Sequence, residues 1–320
     1  MRHWILAVCA LALAAAAQAQ TFPQPGKPIR IVVPFPPGGA TDIQARQIAQ
    51  KMSEALGSPV VVDNKPGGST VIGGREVQKA APDGHTLLYT IAIHVQLQHL
   101  YKVPPWDVFR DFTPITAGAI GGTVLTAHQS VPASNLKELI AYAKANPGKL
   151  NYASFGTGTT AHLNGEWLRR LAGIDLVHVP YKGSGDAMKD LLGGQVQLFF
   201  DGVNTAISNT KTGKVKMLAA ATGKRIPALP DLPTMKEQGY DLGIDGFLGF
   251  FGPAQMPPAT LEAVYRALAR AITLPEVKEA FARDGYEASG MPPAEYAKFV
   301  RDISERWSAV IRDVGVKLDQ

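Results

Sequence analysis

The sequence predicts an α/β fold of two domains, each built on a mainly parallel sheet flanked by helices. Short apolar runs rich in β-branched residues alternate with helical patterns, which is typical of parallel strands covered on both faces. The same pattern starts again after Gly121-Gly122. A chain of about 300 residues is also more often divided into two domains than built on one continuous sheet.

The N-terminal segment, residues 1–19, is predicted to be a signal peptide that is removed. Arg2 and His3 give a basic start, an apolar run covers residues 5–17, and Ala17-Gln18-Ala19 places small residues at a cleavage site. A membrane anchor is the alternative, but the run is short for a span, which needs ~20 residues. Cleavage would make Gln20 the first residue of an exported chain.

Cys9, the only cysteine, lies in the segment predicted to be removed. Leu6-Ala7-Val8-Cys9 loosely resembles a lipobox, so lipid attachment is a further alternative, although Val8 is a poor residue before the cysteine. Without Cys9 the mature chain can form no disulfide and no thiolate metal site. The histidines that follow show no metal-ligand spacing, and we expect neither a metal nor a cofactor.

Charge does not indicate a nucleic-acid partner. The chain has 32 basic and 27 acidic residues, a net charge of +5, and the basic residues are scattered. Nucleic-acid binders instead concentrate Lys and Arg in a patch or stripe.

The first half of the pattern comprises three strands separated by helices. Residues 29–35 form the first strand, and the following helix repeats apolar residues every three or four positions from Ala45 to Leu56. Residues 60–62 form the second strand, a helix runs through Gln78, and residues 85–91 form the third strand.

The second half opens with a strand at 124–127 and a helix at 136–145 that ends at Asn146-Pro147-Gly148. Four more strands are predicted, at 150–154, 176–181, 195–200 and 215–220. After Asp245 we expect one strand, 247–251, and three helices. The last helix has an apolar stripe on one side, formed by Tyr296, Phe299, Val300, Ile303, Trp307, Val310, Ile311 and Val314.

Three strand-to-helix loops are suited to anion binding, because helix N-termini offer unpaired N–H groups and a partial positive charge. In open α/β sheets such loops lie at the carboxyl ends of the strands, where ligands bind. The first loop has paired glycines that let backbone approach a ligand, although it also fits an ordinary capped turn. Its candidate ligand-binding residues are Phe35, Pro36, Gly38, Gly39, Ala40, Thr41 and Asp42.

The second loop follows the strand at 150–154 and carries several hydroxyls. Gly156-x-Gly158-x-x-Ala161 matches the dinucleotide fingerprint, but an exported protein has no steady supply of NAD, so we interpret the loop as anion-binding. His162 is either a ligand contact or, more commonly, a residue on the helix surface. The candidates here are Ser154, Gly156, Thr157, Thr159 and His162.

The third loop is Tyr181-Lys182-Gly183-Ser184-Gly185-Asp186, with Gly183 and Ser184 as candidate ligand contacts. Lys182 either adds positive charge or is simply solvated. Asp201 ends the next predicted strand, where it would orient a water or a ligand amine, or cap the segment that follows.

Catalytic motifs are weak. No Gly-x-Ser-x-Gly elbow occurs, and residues 68–75 lack the Lys-Ser/Thr ending of a P-loop. No pair of carboxylates shares a loop in obvious acid and base environments. The pattern therefore favours binding without catalysis, and we do not expect an enzyme.

Taken in order, the loops resemble the Bug-type periplasmic solute-binding receptors of the tripartite tricarboxylate transporter family. The resemblance covers nearly the whole mature chain. The matching stretches are residues 27–30, 33–42, 60–67, 81–88, 146–154, 178–183, 191–196 and 227–234.

This resemblance implies a two-lobed periplasmic-binding-protein (Venus flytrap) fold, a periplasmic location and a monomer that delivers its ligand to membrane transporter subunits without inserting into the membrane itself. Residues 25–123 plus 246–320 would form lobe one, and 124–245 lobe two. A ligand carboxylate would lie between the loop at 35–42 and, in lobe two, residues 154–159, Gly183-Ser184 and Asp201.

The sequence departs from the family pattern where specificity is expected to lie. Residues 91–96 are bulkier than the usual small polar segment, which makes Ile91 and Ala92 candidate contacts. Val71 replaces a usual Asn, and Phe247 stands where Trp is common. These changes favour an aromatic carboxylate or a medium-chain dicarboxylate.

Two other functions stay open. An exported hydrolase-like enzyme would need a nucleophile–base pair in the cleft, and a sensor would present the same ligand to a signalling partner.

Overall fold

The computed structural model describes residues 22–318, so the predicted signal peptide and Cys9 lie outside the described residues. Eleven strands in this range form two sheets. In chain order they are β1 (Ile29–Val33), β2 (Val60–Asn64), β3 (Thr86–Ile91), β4 (Phe112–Gly121), β5 (Thr123–His128), β6 (Leu150–Ser154), β7 (Leu176–Pro180), β8 (Leu198–Gly202), β9 (Val215–Ala221), β10 (Gly246–Pro253) and β11 (Glu287–Ala288).

Helices connect these strands and cover both sheets. They are α1 (Ala40–Leu56), α2 (Val71–Gln78), α3 (Ile93–Leu100), α4 (Val108–Asp111), α5 (Leu136–Ala145), α6 (Thr160–Ala172), α7 (Ser184–Leu192), α8 (Val203–Thr210), α9 (Pro258–Ile272), α10 (Pro275–Arg283) and α11 (Pro293–Val314), with a 3₁₀ turn at Gly68–Thr70. Between residues 22 and 318 no helix combines the length and apolar character needed to cross a membrane.

Each sheet is mixed, with one inner strand antiparallel to both of its neighbours, and the larger sheet also has an antiparallel edge strand, β11. The six-stranded sheet has the order β11-β4-β10-β3-β1-β2, and β10 runs antiparallel to β3 and β4. The five-stranded sheet has the order β7-β6-β8-β5-β9, and β5 runs antiparallel to β8 and β9. We call the layers around these sheets the larger lobe and the smaller lobe.

Both lobes have their own apolar core. In the larger lobe, α11 buries Tyr296, Val300 and Trp307 of the predicted stripe, while Phe299 and Val314 pack partly buried against the same core. The smaller lobe centres on Leu125, Tyr152 and other side chains between its sheet and helices. The interpretation of the C-terminal stripe as a helix packed on a sheet is confirmed.

The chain passes between the lobes at closely placed points. Gly122 alone separates β4 from β5, and residues 222–245 connect β9 to β10. A third link is the packing of α11 against α6, where Arg170 Nε and Asp313 Oδ1 are 2.8 Å apart. The exact lobe boundaries given by the sequence stay a prediction, although β5 already begins at Thr123.

Several strand predictions were shifted, and β4 was missed. The strand predicted at 195–200 is β8, which begins three residues later because Gly193-Gly194-Gln195 forms the turn that ends α7. Asp201 therefore lies inside β8 rather than closing it. Residues 112–121 contain Pro114, Gly118 and Gly121, which weaken any strand signal, and they become a strand through their pairing with β10.

Candidate functional site

A cavity of about 420 Å³ lies between the two lobes. Its walls come from loops at the carboxyl ends of β1, β3, β6 and β8, from the loop that precedes α7, and from the crossing strands near Gly121 and Gly246. The position agrees with the general location of ligands in open α/β sheets.

Ten of the residues that the sequence singled out line this cavity. They are Phe35, Pro36, Gly38, Gly39, Ala40, Thr41, Ile91, Ala92, Gly183 and Ser184. Phe247, noted as a departure from the family pattern, lines it as well, whereas Val71 does not. Seven predicted contacts do not line it, and their role in binding stays a prediction: Asp42, Ser154, Gly156, Thr157, Thr159, His162 and Asp201.

Five helices begin at the cavity, and none of the five has a side chain that caps its first turn. The N-cap residues are Gly39 for α1, Ala92 for α3, Thr159 for α6, Gly183 for α7 and Gly202 for α8. Each helix places its N-cap or a first-turn residue in the cavity wall. The first N–H groups of these helices thus lack side-chain acceptors and lie near the space that a ligand would fill.

The other helices begin away from the cavity, and their N-termini differ from these five. Asp107 caps α4 and Asn135 caps α5 through their side chains, and α9, α10 and α11 carry proline in the first turn. The first N–H of α2 is taken by the carbonyl of Gly68. Nine α-helices between residues 22 and 318 lack a side-chain cap, and five of the nine begin at the cavity.

The positive charge in the cavity wall comes from backbone rather than from cationic side chains. Asp186 is the one charged residue among those that line the cavity within residues 22–318. Partial positive charge at several helix N-termini favours an anion. A small anion can therefore be held without arginine or lysine.

Apolar side chains form much of the remaining wall. Phe35, Phe155, Phe247 and Tyr286 bring rings to the cavity. The Phe247 ring is fixed edge-on against Tyr296, with centroids 5.7 Å apart, and it is 1% exposed. The cavity thus offers a fixed apolar surface beside its donors, and this surface suits an apolar or aromatic body.

Asp42 stabilises the first loop by hydrogen bonding and does not itself line the cavity. Its carboxylate accepts hydrogen bonds from the Gly38 N–H at 2.9 Å and from Asn64 Nδ2 at 2.9 Å, and it pairs with Arg46. Burial opposes ionisation, but the hydrogen bonds from Arg46, Gly38 and Asn64 outweigh it and lower the pKa of Asp42 below its ordinary value. Asp42 is therefore satisfied by the protein and holds Gly38 in place.

A histidine cluster supports the second loop. The rings of His162 and His178 stack with centroids 3.9 Å apart, and His162 Nδ1 accepts the Gly158 N–H at 3.0 Å. Burial, aided by the charge of Arg169, lowers the pKa of His162 to about 4. Burial and the neighbouring His162 lower the pKa of His178 to about 3. Both rings are held neutral against the back of the loop.

Ser154 and His178 form a hydroxyl–imidazole pair, Oγ to Nε2, of 2.7 Å. Ser154 has no exposed surface, and its hydroxyl also contacts the Gly156 carbonyl and N–H. Thr159 likewise donates to the Gly156 carbonyl at 2.6 Å. These hydroxyls stabilise the turn of the loop instead of facing the cavity.

Asp201 is fully buried beneath the start of α8. One carboxylate oxygen accepts the N–H of Gly202 at 2.8 Å, and the other, Oδ2, has no partner among the described residues. Burial raises the pKa of Asp201 to about 7, and the hydrogen bond from the Gly202 N–H opposes this shift only in part. The neighbouring Gly202 lines the cavity, so Asp201 acts on it only through backbone.

Sequence reasoning missed several cavity residues. Phe155 and Thr160 lie in or beside the second loop and line the cavity. The prediction for this loop rested on other residues, its glycines and neighbouring hydroxyls. Thr123 follows the Gly121-Gly122 pair, which was taken as a boundary. Tyr286 comes from the connection between α10 and β11 and carries no local signal, because its place in the wall depends on the tertiary fold.

Known proteins resemble this chain along nearly its full length. The family model for the tripartite tricarboxylate transporter family receptor matches residues 44–316. The UPF0065 protein in the gbd 5′ region of Cupriavidus necator is 36% identical, covering 98% of both chains. BugT of Bordetella pertussis is 34% identical over 96% of this chain and 94% of its own.

Solved structures agree with this match. The periplasmic binding protein BugD has a TM-score of 0.86 at 35% identity, covering 93% of this chain and all of its own. Rpa4515 of R. palustris, solved with adipate, has a TM-score of 0.87 at 30% identity over 92% of this chain and 99% of its own. MatC from Rhodopseudomonas palustris, solved with malate, has a TM-score of 0.85 at 30% identity over 90% of this chain and all of its own.

These likenesses confirm the predicted two-lobed periplasmic-binding-protein fold, with the qualification that each sheet is mixed. Together with the family match they identify the chain as a solute-binding receptor. It belongs to the receptor family of the tripartite tricarboxylate transporters.

Proposed function

We propose that this receptor captures a small carboxylate between its lobes in the periplasm, after cleavage of the signal peptide, and delivers it to the membrane subunits of a tripartite tricarboxylate-type transporter. The observation that carries the proposal is the meeting of five uncapped helix N-termini at one interlobe cavity. Two relatives solved with adipate and malate support carboxylate as the ligand class.

The available interactions are strong enough for useful affinity. A charge-assisted hydrogen bond contributes roughly 1.5–3 kcal/mol, and a helix N-terminus adds ~0.3–1 kcal/mol. Four or five such contacts, reduced by the cost of ordering the ligand, suffice for micromolar binding at about −8 kcal/mol.

The wall chemistry favours an aromatic acid or a dicarboxylate with an apolar middle. Phe155 and Ile91, both partly exposed, offer apolar surface, while Phe247 and Leu248 border the cavity with little exposed area. A short, strongly hydrated acid would leave these side chains against water without compensation.

A hydrolase-like activity has less support. The Ser154–His178 pair has the right atoms, but Ser154 is fully buried and does not line the cavity. Burial also lowers the pKa of His178 to about 3, which makes the ring a weak base. The loop role of Ser154 accounts for its contacts.

Calorimetric titration of the mature protein tests the proposal. The panel is benzoate, 4-hydroxybenzoate, terephthalate, adipate and malate, with benzamide and adipamide as uncharged controls. We expect saturable binding with one site for at least one aromatic acid or dicarboxylate, no binding of the matching amide, and full recovery of unchanged ligand.

Two outcomes would contradict it. Amides that bind as tightly as acids would show that the helix N-termini do not select an anion. Conversion of a bound compound to product under substrate excess would favour an enzyme. Delivery is tested separately, by uptake of the best-bound acid in cells with and without the receptor gene.

A further inference from the structure

A buried amide of the larger lobe contacts a hydroxyl in the cavity wall of the smaller lobe. Gln96 lies on α3 with no exposed surface, and its Nε2 donates to Thr160 Oγ1 at 3.1 Å. Thr160 is the first residue of α6 and lines the cavity. The Oε1 atom of Gln96 has no partner among the described residues.

The bond fixes which way the Thr160 hydroxyl can donate. A hydroxyl has one proton to donate and can accept two hydrogen bonds. Thr160 Oγ1 already accepts from Gln96, so its own proton must point elsewhere. Within residues 22–318 no hydrogen bond donated by Thr160 Oγ1 is formed, and the neighbouring free space is the cavity.

The same arrangement occurs once more at the cavity. Asn164, also fully buried, donates from Nδ2 to Thr123 Oγ1 at 3.0 Å, and Thr123 lines the cavity. The Oδ1 atom of Asn164 has no partner in the described part of the chain. Two threonine hydroxyls thus each accept a hydrogen bond from a buried amide. The hydroxyl proton of each threonine stays available to donate to a ligand.

We infer that Gln96 is a positioning residue, which directs the Thr160 hydroxyl proton at an oxygen of the bound acid and does so only when the lobes are closed. The inference rests on the proposed function, since it assigns a donor to that same cavity. Gln96 and Thr160 belong to different lobes, so opening breaks their bond and releases the hydroxyl to rotate.

This device adds selectivity to a site that has no cation in its wall. Fixed hydroxyl donors, like the helix N–H groups, favour a carboxylate, whose two oxygens accept hydrogen bonds and donate none. An ammonium group has only donors, and a carboxamide replaces one of the two acceptor oxygens by NH₂, so each would leave donors in the wall unpaired, which is costly in a buried site. Closure and discrimination are thereby linked through one hydrogen bond.

Neutron diffraction from crystals of the perdeuterated protein with its lobes closed tests the hydroxyl direction by itself. We expect the Thr160 deuterium to point into the cavity and a Gln96 Nε2 deuterium to point at Thr160 Oγ1. A Thr160 deuterium aimed at Gln96 Oε1 would overturn the inference, whatever the receptor binds.

Affinity measurements with benzoate and adipate provide the second test. Gln96→Met should weaken binding by about five- to tenfold, and Thr160→Val by about tenfold or more, in keeping with loss of a hydrogen bond to a charged group. Thr160→Ser, which keeps the hydroxyl, should stay within about threefold of the wild type. The double variant should be no weaker than Thr160→Val alone, because both changes remove one interaction.

Gln98→Met is the matched control. Gln98 lies on the same helix and donates to the Ser304 hydroxyl at 2.7 Å, away from the cavity. The affinity of the Gln98→Met variant for both acids should be unchanged.

Additive losses in the double variant, or equal losses for Gln96→Met and Gln98→Met, would overturn the inference. Failure of the wild type to bind either acid would instead contradict the proposed function. The neutron result would still decide whether Gln96 directs the Thr160 hydroxyl.

Discussion

Gly38 and Gly39 are neighbours in the cavity wall, but their backbones make different demands. Gly38 has φ +88°, a left-handed conformation that costs an L-residue roughly 1–2 kcal/mol, whereas Gly39 has φ −79° and ψ 167°, which any residue adopts. A Cβ at either position meets nothing within 4 Å. A side chain at Gly39 would therefore extend into free space without strain.

Gly39→Leu is expected to leave the fold intact and to reduce acid binding by at least about a hundredfold, because the side chain occupies the approach to the α1 N–H groups. Titration with benzoate and thermal unfolding measure the two effects, with Gly39→Ala as a smaller step that should lose less affinity. Wild-type affinity in Gly39→Leu would remove the first loop from the binding site.

Asp201 is expected to make the folded state less stable as pH rises. Its pKa of about 7 lies above the unfolded value of ~3.9, so the folded state binds more protons between these values and loses stability through that range. Asp201→Asn should therefore be more stable than the wild type at pH 8 and similar to it near pH 4.

Denaturant unfolding at pH 4, 6 and 8 measures this difference. Subtracting the free energy of unfolding of the variant from that of the wild type at each pH cancels the titration of all other groups. A difference that does not change with pH would show that Asp201 is not the group responsible.

The loop between β6 and α6 should loosen in acid because two neutral histidines support it. Their folded pKa values, about 4 for His162 and about 3 for His178, lie below the unfolded value of ~6.5. Their contribution is fully present above pH 6.5 and is lost as pH falls toward 4, since protonation then favours the unfolded state.

Hydrogen exchange of residues 155–162, corrected for the intrinsic rate, should rise between pH 7 and pH 5. His178→Gln should reduce the pH dependence of unfolding, while the same change at the partly buried His128, which lies outside the stacked pair, should not. An unchanged slope in His178→Gln would mean that the stacked pair does not carry the acid sensitivity.

Elements with clear local stop signals were predictable from sequence. The helix at Leu136–Ala145 and the strand at Leu150–Ser154 have the predicted bounds, because Asn135 caps one end and Asn146-Pro147-Gly148 interrupts the chain between them. Strand β4 was not predictable in this way, since its pairing with β10 arises only in the folded protein.

The candidate site was predictable only as far as backbone determines it. The glycine-containing loops before α1 and α7 line the cavity, and their contact with a ligand stays a prediction. The hydroxyls of Ser154 and Thr159 were expected to face a ligand, yet they bond to the Gly156 backbone. Residue type indicates that a side chain will bond, but the direction of the bond depends on packing.

The structure corresponds to a closed arrangement of the lobes. Ser69 Oγ of the larger lobe donates to the Thr157 carbonyl of the smaller lobe at 3.2 Å, and Gln96 donates to Thr160 between the same two lobes. Such contacts exist only when the lobes meet. A ligand that touches both sides would therefore favour this arrangement over an open one.

Addition of a bound acid should reduce the radius of gyration in small-angle X-ray scattering and raise the unfolding temperature. At a free concentration of 100 times Kd the stabilisation is about 2.7 kcal/mol. Benzamide serves as the control compound. Thermal stabilisation without compaction would indicate that the lobes are closed before the ligand arrives.

Strand β10 lies between β3 and β4 in the larger sheet, yet it is made from residues near the end of the chain. If the chain is exported N-terminus first, as the proposed function requires, β3 and β4 each keep an unpaired edge until this segment follows. Such edges invite pairing with other chains. The larger sheet is therefore completed only after the smaller one, whose five strands are contiguous in the sequence and can pair as soon as residue 221 is available.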